Sequence, residues 1–207
     1  MAAAHDGARD DRVAVVVEAV DARGYAVAPR FLDARTVAGL RARALSLEAD
    51  GLLAPAGIGR GPQRIERAAI RGDRIRWLGD PGNDAVEKSL HEALEALRLA
   101  FNRELALGLF EFEGHYALYA PGAGYARHRD RFHDDDARLL SVVLYLNGRW
   151  RAHDGGLLRL HRENDRAVDV LPIGGTLVAF LADRFEHEVL PARRSRLSVT
   201  GWFRRRA

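Results

Sequence analysis

The sequence predicts an α+β fold, with helices in its first half and a double-stranded β core, a sandwich or small barrel, in its second. Three observations point there. Up to Leu105, apolar residues recur at intervals of three and four, the period of a helix with one buried face. From Phe110 onward, short alternating runs are separated by turn signals every eight to twelve residues, the texture of an all-β segment. No repeat or low-complexity stretch divides the chain, so residues 1–207 read as one domain.

Taken in order, residues 1–11 read as a flexible tail. Arg12–Arg23 is an apolar-rich helix ending at Gly24, and Tyr25–Ala28 suits a short strand,. Asp33 is the expected N-cap of a helix over Ala34–Leu47, with Val37, Leu40, Ala44 and Leu47 on one face,. Residues 52–73 read as a mobile loop. Its Gly57, Gly59 and Gly61 do not lie between a strand and a helix, and Pro62 follows them, so a phosphate loop is not expected,. Arg74–Leu78 alternates as a half-buried strand would. The clearest helix is Asn83–Leu105, striped by Val86, Leu90, Leu94, Leu97 and Phe101,. Strands are then expected near 111–119, 138–146, 156–161, 166–170, 176–181, 185–190 and 196–203. The helices should pack outside this β core.

Composition narrows the chemistry. There is no cysteine, which excludes disulfides, thiolate zinc sites and iron–sulfur clusters, so any metal rests on His, Asp or Glu. Basic and acidic residues number 32 and 29, for a net charge of +3, and Lys88 is the single lysine. The one dense basic cluster, Arg204–Arg206, reads as a solvated tail rather than a nucleic-acid stripe. No apolar run approaches the roughly 20 residues of a membrane span, and residues 1–11 lack a signal-peptide pattern. The expected location is the cytoplasm, with neither membrane nor nucleic acid as a partner.

Residues 119–136, YAPGAGYARHRDRFHDDD, contain His-x-Asp twice: His128 with Asp130, and His133 with Asp135. Residues two apart on a strand share a face, so either pair would present an imidazole and a carboxylate to one ion. A third ligand is needed, and His187 on a late strand can supply it from across a two-sheet fold. Two histidines and a carboxylate on one face of an octahedral ion leave the opposite face open, as in non-haem Fe(II) oxygenases. Arg196 lies nine residues beyond His187; a turn at Pro191–Ser195 would put the two on neighbouring antiparallel strands facing one cavity. There Arg196, with the Tyr145 hydroxyl, would hold the distal carboxylate of a dicarboxylate whose 2-oxo acid end chelates iron. Thr200 and Trp202 share the face of Arg196.

These residues resemble the Fe(II)/2-oxoglutarate dioxygenases, and within them the prolyl 4-hydroxylases of the branch acting on hypoxia-inducible factor. The family pattern Tyr-x-x-Gly-x-x-Tyr-x-x-His-x-Asp reads here as Tyr119 through Asp130, a register that selects His128 and Asp130 over His133 and Asp135. Further likeness lies in IRGD at 70–73, YLN at 145–147, GGLLRL at 155–160 and HEVLPARRSRLSVTGWF at 187–203. The resemblance implies a double-stranded β-helix, or jelly-roll, fold. It also implies hydroxylation of a prolyl residue in a protein substrate, a translation factor among the candidates, with 2-oxoglutarate converted to succinate and carbon dioxide. Fe(II), 2-oxoglutarate and dioxygen are the implied cofactor and cosubstrates, with ascorbate as a reductant.

By the same resemblance, His128, Asp130 and His187 are the metal ligands. Arg196, Tyr145, Tyr119, Thr200 and Leu158 bind the cosubstrate. Tyr125, Arg71, Asp73, Arg138 and Trp202 meet the substrate, and residues 52–73 cover it. The collagen-type branch carries a lysine ten residues after the distal histidine, where Leu197 stands here, so the resemblance favours the oxygen-sensing branch. The nucleic-acid repair branch carries a second arginine where Trp202 stands. Two rivals remain in view, an oxygenase of small molecules and a non-catalytic ligand sensor of the same fold. The other histidines (His5, His91, His115, His153 and His161) read as surface or satisfied structural residues.

Overall fold

In the computed structural model, which describes residues 3–57, 67, 69–130, 137–163 and 166–206, with side chains from residue 11 onward, two antiparallel sheets face one another and three helices cover the outside of the larger. In chain order the elements are α1 (Ala3–Arg23), β1 (Tyr25–Ala28), α2 (Ala34–Ala49), β2 (Ala54–Pro55), β3 (Asp73–Trp77), α3 (Ala85–Leu105), β4 (Glu111–Tyr119) and β5 (Tyr125–His128). There follow β6 (Arg138–Tyr145), β7 (Leu158–His161), β8 (Ala167–Val170), β9 (Leu177–Leu181), β10 (Glu186–Val189) and β11 (Arg196–Arg204). The larger sheet runs β1-β9-β6-β11-β4-β3-β2 and the smaller β5-β10-β7-β8. This is a jelly roll, as the sequence leads one to expect.

The helix ends have local causes. Gly24, at φ 82°, stops α1 in a left-handed conformation that costs glycine little, and its N–H donates to the Val20 carbonyl at 2.7 Å,. Asp33 caps α2 by accepting from the Thr36 N–H and hydroxyl. Asp84 caps α3 by accepting from the Val86 and Glu87 N–H groups,. The helix α1 begins at Ala3 rather than Arg12, so residues 3–11 continue a helix instead of forming a separate tail; their alanines favour that state. The strand expected over Arg74–Leu78 is β3, and the short β2 that pairs with it, absent from the sequence reading, sits in the segment expected to be all loop. Of that segment, residues 58–66 and 68, including Gly59 and Gly61, lie outside the described residues.

Alternation along the strands sorts the two cores. Outward-facing Leu118, Leu140, Val142, Leu144, Leu197 and Val199 join Val16, Val20, Leu40, Leu47, Leu94 and Phe101 of the helices in one buried cluster. Each such side chain contributes about 1.5–3 kcal/mol on burial. Inward-facing Ala117, Tyr119, Val143, Tyr145, Val178 and Phe180 meet Leu158, Leu160 and Val189 of the smaller sheet in a second cluster. The space between the sheets is therefore half core and half cavity. In the basic C-terminal cluster Arg205 and Arg206 are exposed, as a solvated stretch would be, while Arg204 closes β11 and pairs with Glu111 and Glu113 at 3.2 Å and Arg206 lies 4.2 Å over Phe110. No described helix is long and apolar enough to cross a membrane.

Candidate active site

The smaller sheet builds a metal-ligating cluster. Its β10 pairs with β5 so that His187 stands directly opposite His128, and Asp130 follows two residues after β5 ends. One ligand atom from each of the three lies within 4.8 Å of the others; each histidine Nε2 is 3.5 Å from an Asp130 oxygen. The sequence reading put His187 across the fold from the other two. It lies instead on the adjacent strand of the same sheet, because alternation fixes a residue's face and not its neighbouring strand. His133 and Asp135 lie outside the described residues.

Each ligand is held from behind. His128 Nδ1 lies 2.8 Å from the Ala126 carbonyl; donating there leaves the Nε2 lone pair for the site. Ser141 donates its hydroxyl to Asp130 Oδ2 at 2.7 Å. Burial pushes the Asp130 carboxyl up, but His187, His128 and Ser141 outweigh it and hold the group well below the usual carboxylate range. Burial pushes His187 down to about 4, so its imidazole is neutral at physiological pH. A carboxylate and two imidazoles converging on one point match the donor set of a 2-His-1-carboxylate Fe(II) centre.

The larger sheet supplies the facing wall of a cavity of ≈240 Å3. Arg196, opposite Tyr119 on β4, is 1% exposed; its guanidinium sits 5.3 Å from the Tyr119 ring and 5.0 Å from that of Tyr145. Its Nε donates to the Gly156 carbonyl at 3.0 Å. Neither its Nη2 nor the Tyr145 hydroxyl has a hydrogen-bond partner among the described residues. A buried cation with a vacant donor beside a vacant hydroxyl is costly alone and well matched to a carboxylate. Burial pushes Tyr145 up to about 12 and Tyr119 well above its ordinary value, so both stay protonated as donors. The expectation that His187 and Arg196 occupy neighbouring strands does not hold: β10 and β11 belong to different sheets, and Pro191–Ser195 crosses between them.

The sequence-predicted residues gather here. Tyr119, Leu158, Arg196 and Thr200 line the cavity with Tyr125, Arg71, Asp73, Arg138 and Trp202, while Tyr145 is buried beside Arg196. Arg71 and Asp73 pair with each other through two hydrogen bonds of 2.8 and 3.1 Å. Arg71 also donates to the Gly57 carbonyl and lies 5.0 Å over Tyr125, whose ring stacks on His128 at 3.6 Å. Arg138 lies 3.4 Å over the Trp202 ring. Among the cavity residues that the sequence reading missed, with Trp77 and Arg129, one is a histidine. His115, read as structural, is 1% exposed and lines the same space. The signal was present, since His115, Ala117 and Tyr119 share one face of β4.

Comparison with known proteins agrees with this geometry. The family model described as the 2OG-Fe(II) oxygenase superfamily matches residues 114–204. The chain is 32% identical to human Egl nine homolog 1 over 144 residues, 65% of this chain and 33% of that protein; it thus spans about a third of that relative's length. A Pseudomonas putida prolyl-4-hydroxylase structure is 47% identical, covers 94% of this chain and 100% of its own, and superposes with a TM-score of 0.86. A Trichoplax adhaerens prolyl hydroxylase, solved with a peptide fragment of the hypoxia inducible factor oxygen degradation domain, is 27% identical. That structure covers 97% of this chain and 92% of its own, with a TM-score of 0.86.

Proposed function

Because the chain belongs to the 2OG-Fe(II) oxygenase superfamily, and so takes Fe(II) and 2-oxoglutarate, we propose that it hydroxylates a prolyl residue of a protein substrate. The observation that carries the reading is the pairing, across one cavity, of the His128–Asp130–His187 cluster with the vacant donors of Arg196 and Tyr145. Likeness over nearly the full length to a protein described as a prolyl-4-hydroxylase supports the choice of proline.

Fe(II), with 2-oxoglutarate and dioxygen, supplies the oxidising power that replaces a C–H by a C–OH bond while 2-oxoglutarate becomes succinate and carbon dioxide. The chain's own residues do the rest. His128, Asp130 and His187 would hold the ion by one face and leave the other to ligands from solution. Arg196 and Tyr145 would anchor the distal carboxylate of 2-oxoglutarate through charge-assisted hydrogen bonds, with Tyr119, Thr200 and Leu158 as its walls. Tyr125, Arg71, Asp73, Arg138 and Trp202 stand at the part of the cavity left for the substrate, with Gly57 beside them on its lining. Burial keeps water from the reacting groups.

Proteomes of cells carrying the wild-type chain or His187→Ala decide the matter. A protein that gains the mass of one oxygen atom on a proline only with the wild-type chain is the expected result. If 2-oxoglutarate is consumed but no proline changes, the substrate is of another class.

A further inference from the structure

His115 has no task in the site described so far. It sits on the inward face of β4, between Trp77 of β3 and Thr200 of β11 as its cross-strand partners. Its ring lies 5.0 Å from Trp77 and 5.7 Å from Trp202. Both ring nitrogens are buried, and neither has a hydrogen-bond partner among the described residues. An apolar side chain would fill this aromatic slot without that cost. Burial pushes the ring down to about 3, so the imidazole is neutral and keeps one N–H donor and one lone pair.

Position says what the vacant donor faces. Along β11 the inward residues run Arg196, Ser198, Thr200, Trp202, and His115 opposes Thr200, two inward places from the arginine that would anchor 2-oxoglutarate. The next inward place, Trp202, pairs with Ser141, which holds Asp130. His115 therefore stands beyond the cosubstrate's distal end, toward the metal-ligating cluster. Trp202 Nε1 is a second buried donor without a partner among the described residues. The amide before a proline has no N–H, so a segment centred on proline is recognised chiefly through its carbonyl oxygens. A wall that binds it needs donors.

We propose that His115 is a substrate-recognition residue whose ring N–H donates to a backbone carbonyl of the segment carrying the target proline. The assignment rests on the prolyl reading above. Trp202 provides the neighbouring donor, and the pair orients the prolyl ring toward the metal-ligating cluster.

The test uses an array of synthetic peptides, each with a single central proline, and the peptide that the Fe(II)- and 2-oxoglutarate-loaded wild-type protein hydroxylates fastest. His115→Phe should raise the KM for that peptide about tenfold, the equivalent of one lost hydrogen bond. The 2-oxoglutarate dissociation constant should stay near wild type, and His115→Gln, which restores a donor, should recover most of the loss. Independently of turnover, adding the peptide to the wild-type protein loaded with redox-inert Zn(II) and 2-oxoglutarate should shift the 15N resonances of the His115 ring. An unchanged peptide KM in His115→Phe, or unmoved His115 resonances under saturating peptide, overturns the proposal. So does a loss of 2-oxoglutarate binding that parallels the loss of peptide binding, because that marks a packing role. If wild type consumes 2-oxoglutarate but hydroxylates no peptide, the prolyl reading itself fails and this assignment falls with it.

Discussion

His128 and His187 are direct cross-strand partners in the smaller sheet, with ring centroids 4.2 Å apart, and Asp130 reaches both from just beyond the strand end. The register of β10 on β5 thus sets the bite of the cluster. His187→Ala and Asp130→Ala should each weaken Co(II) binding, read by its visible absorption, by more than about 100-fold, the upper end of what loss of an outer partner costs. Ser141→Ala, which removes the hydroxyl from Asp130, should cost about tenfold. Co(II) binding by His187→Ala within about threefold of wild type would be incompatible with a ligand role.

Arg196 is a buried guanidinium with no carboxylate beside it among the described residues, so it opposes folding in the absence of 2-oxoglutarate and serves binding in its presence,. Arg196→Met should therefore do two opposite things. Its affinity for 2-oxoglutarate should fall at least about tenfold, since charge-assisted hydrogen bonds are worth about 1.5–3 kcal/mol. Its ligand-free Tm should stay equal to or rise above that of wild type. Calorimetric titration and a thermal melt check both, and a large drop in ligand-free Tm would mean that the Gly156 contact and ring packing outweigh the buried charge.

Much of this was legible because strand alternation is a strict code: Arg196, Thr200 and Trp202 fall on one face by spacing alone, and the cavity confirms that face. What the code cannot carry is which strands adjoin. His187 beside His128, and Arg196 on the opposite sheet from His187, depend on long-range pairings whose partners lie tens of residues away. The start of α1 was missed because an alanine-rich polar stretch has helix propensity but no apolar stripe to reveal it. His115 was passed over because a histidine carries no label for burial; only its step of two from Ala117 and four from Tyr119 placed it inside.

Asp73 is 3% exposed and its carboxylate is spanned by both arms of Arg71. Removing the cation alone strands a buried anion, a loss of about 3–5 kcal/mol when a buried pair is broken on one side. Arg71→Ala should thus lower the urea midpoint markedly, whereas Arg71→Met combined with Asp73→Leu should recover most of the stability. The double variant should nonetheless bind and turn over peptide poorly, having lost the contact with Gly57 and the cation over Tyr125. A double variant as unstable as Arg71→Ala would show that the pair contributes more than mutual compensation.

Acid should destabilise the metal-free protein in a defined window. His115 and His187 are pushed by burial from an ordinary 6.5 down to about 3 and about 4. Between pH 6.5 and 4 the unfolded chain takes up these protons while the folded chain refuses them, so stability falls as pH falls through that range. Each histidine adds a slope of at most about 1.4 kcal/mol per pH unit. His115→Phe removes one of the two, so its urea midpoint, followed from pH 7 to 4.5 after chelation of metal, should decline less steeply than that of wild type. Parallel declines in the two proteins would place His115 in contact with water or a partner, contrary to the burial found here.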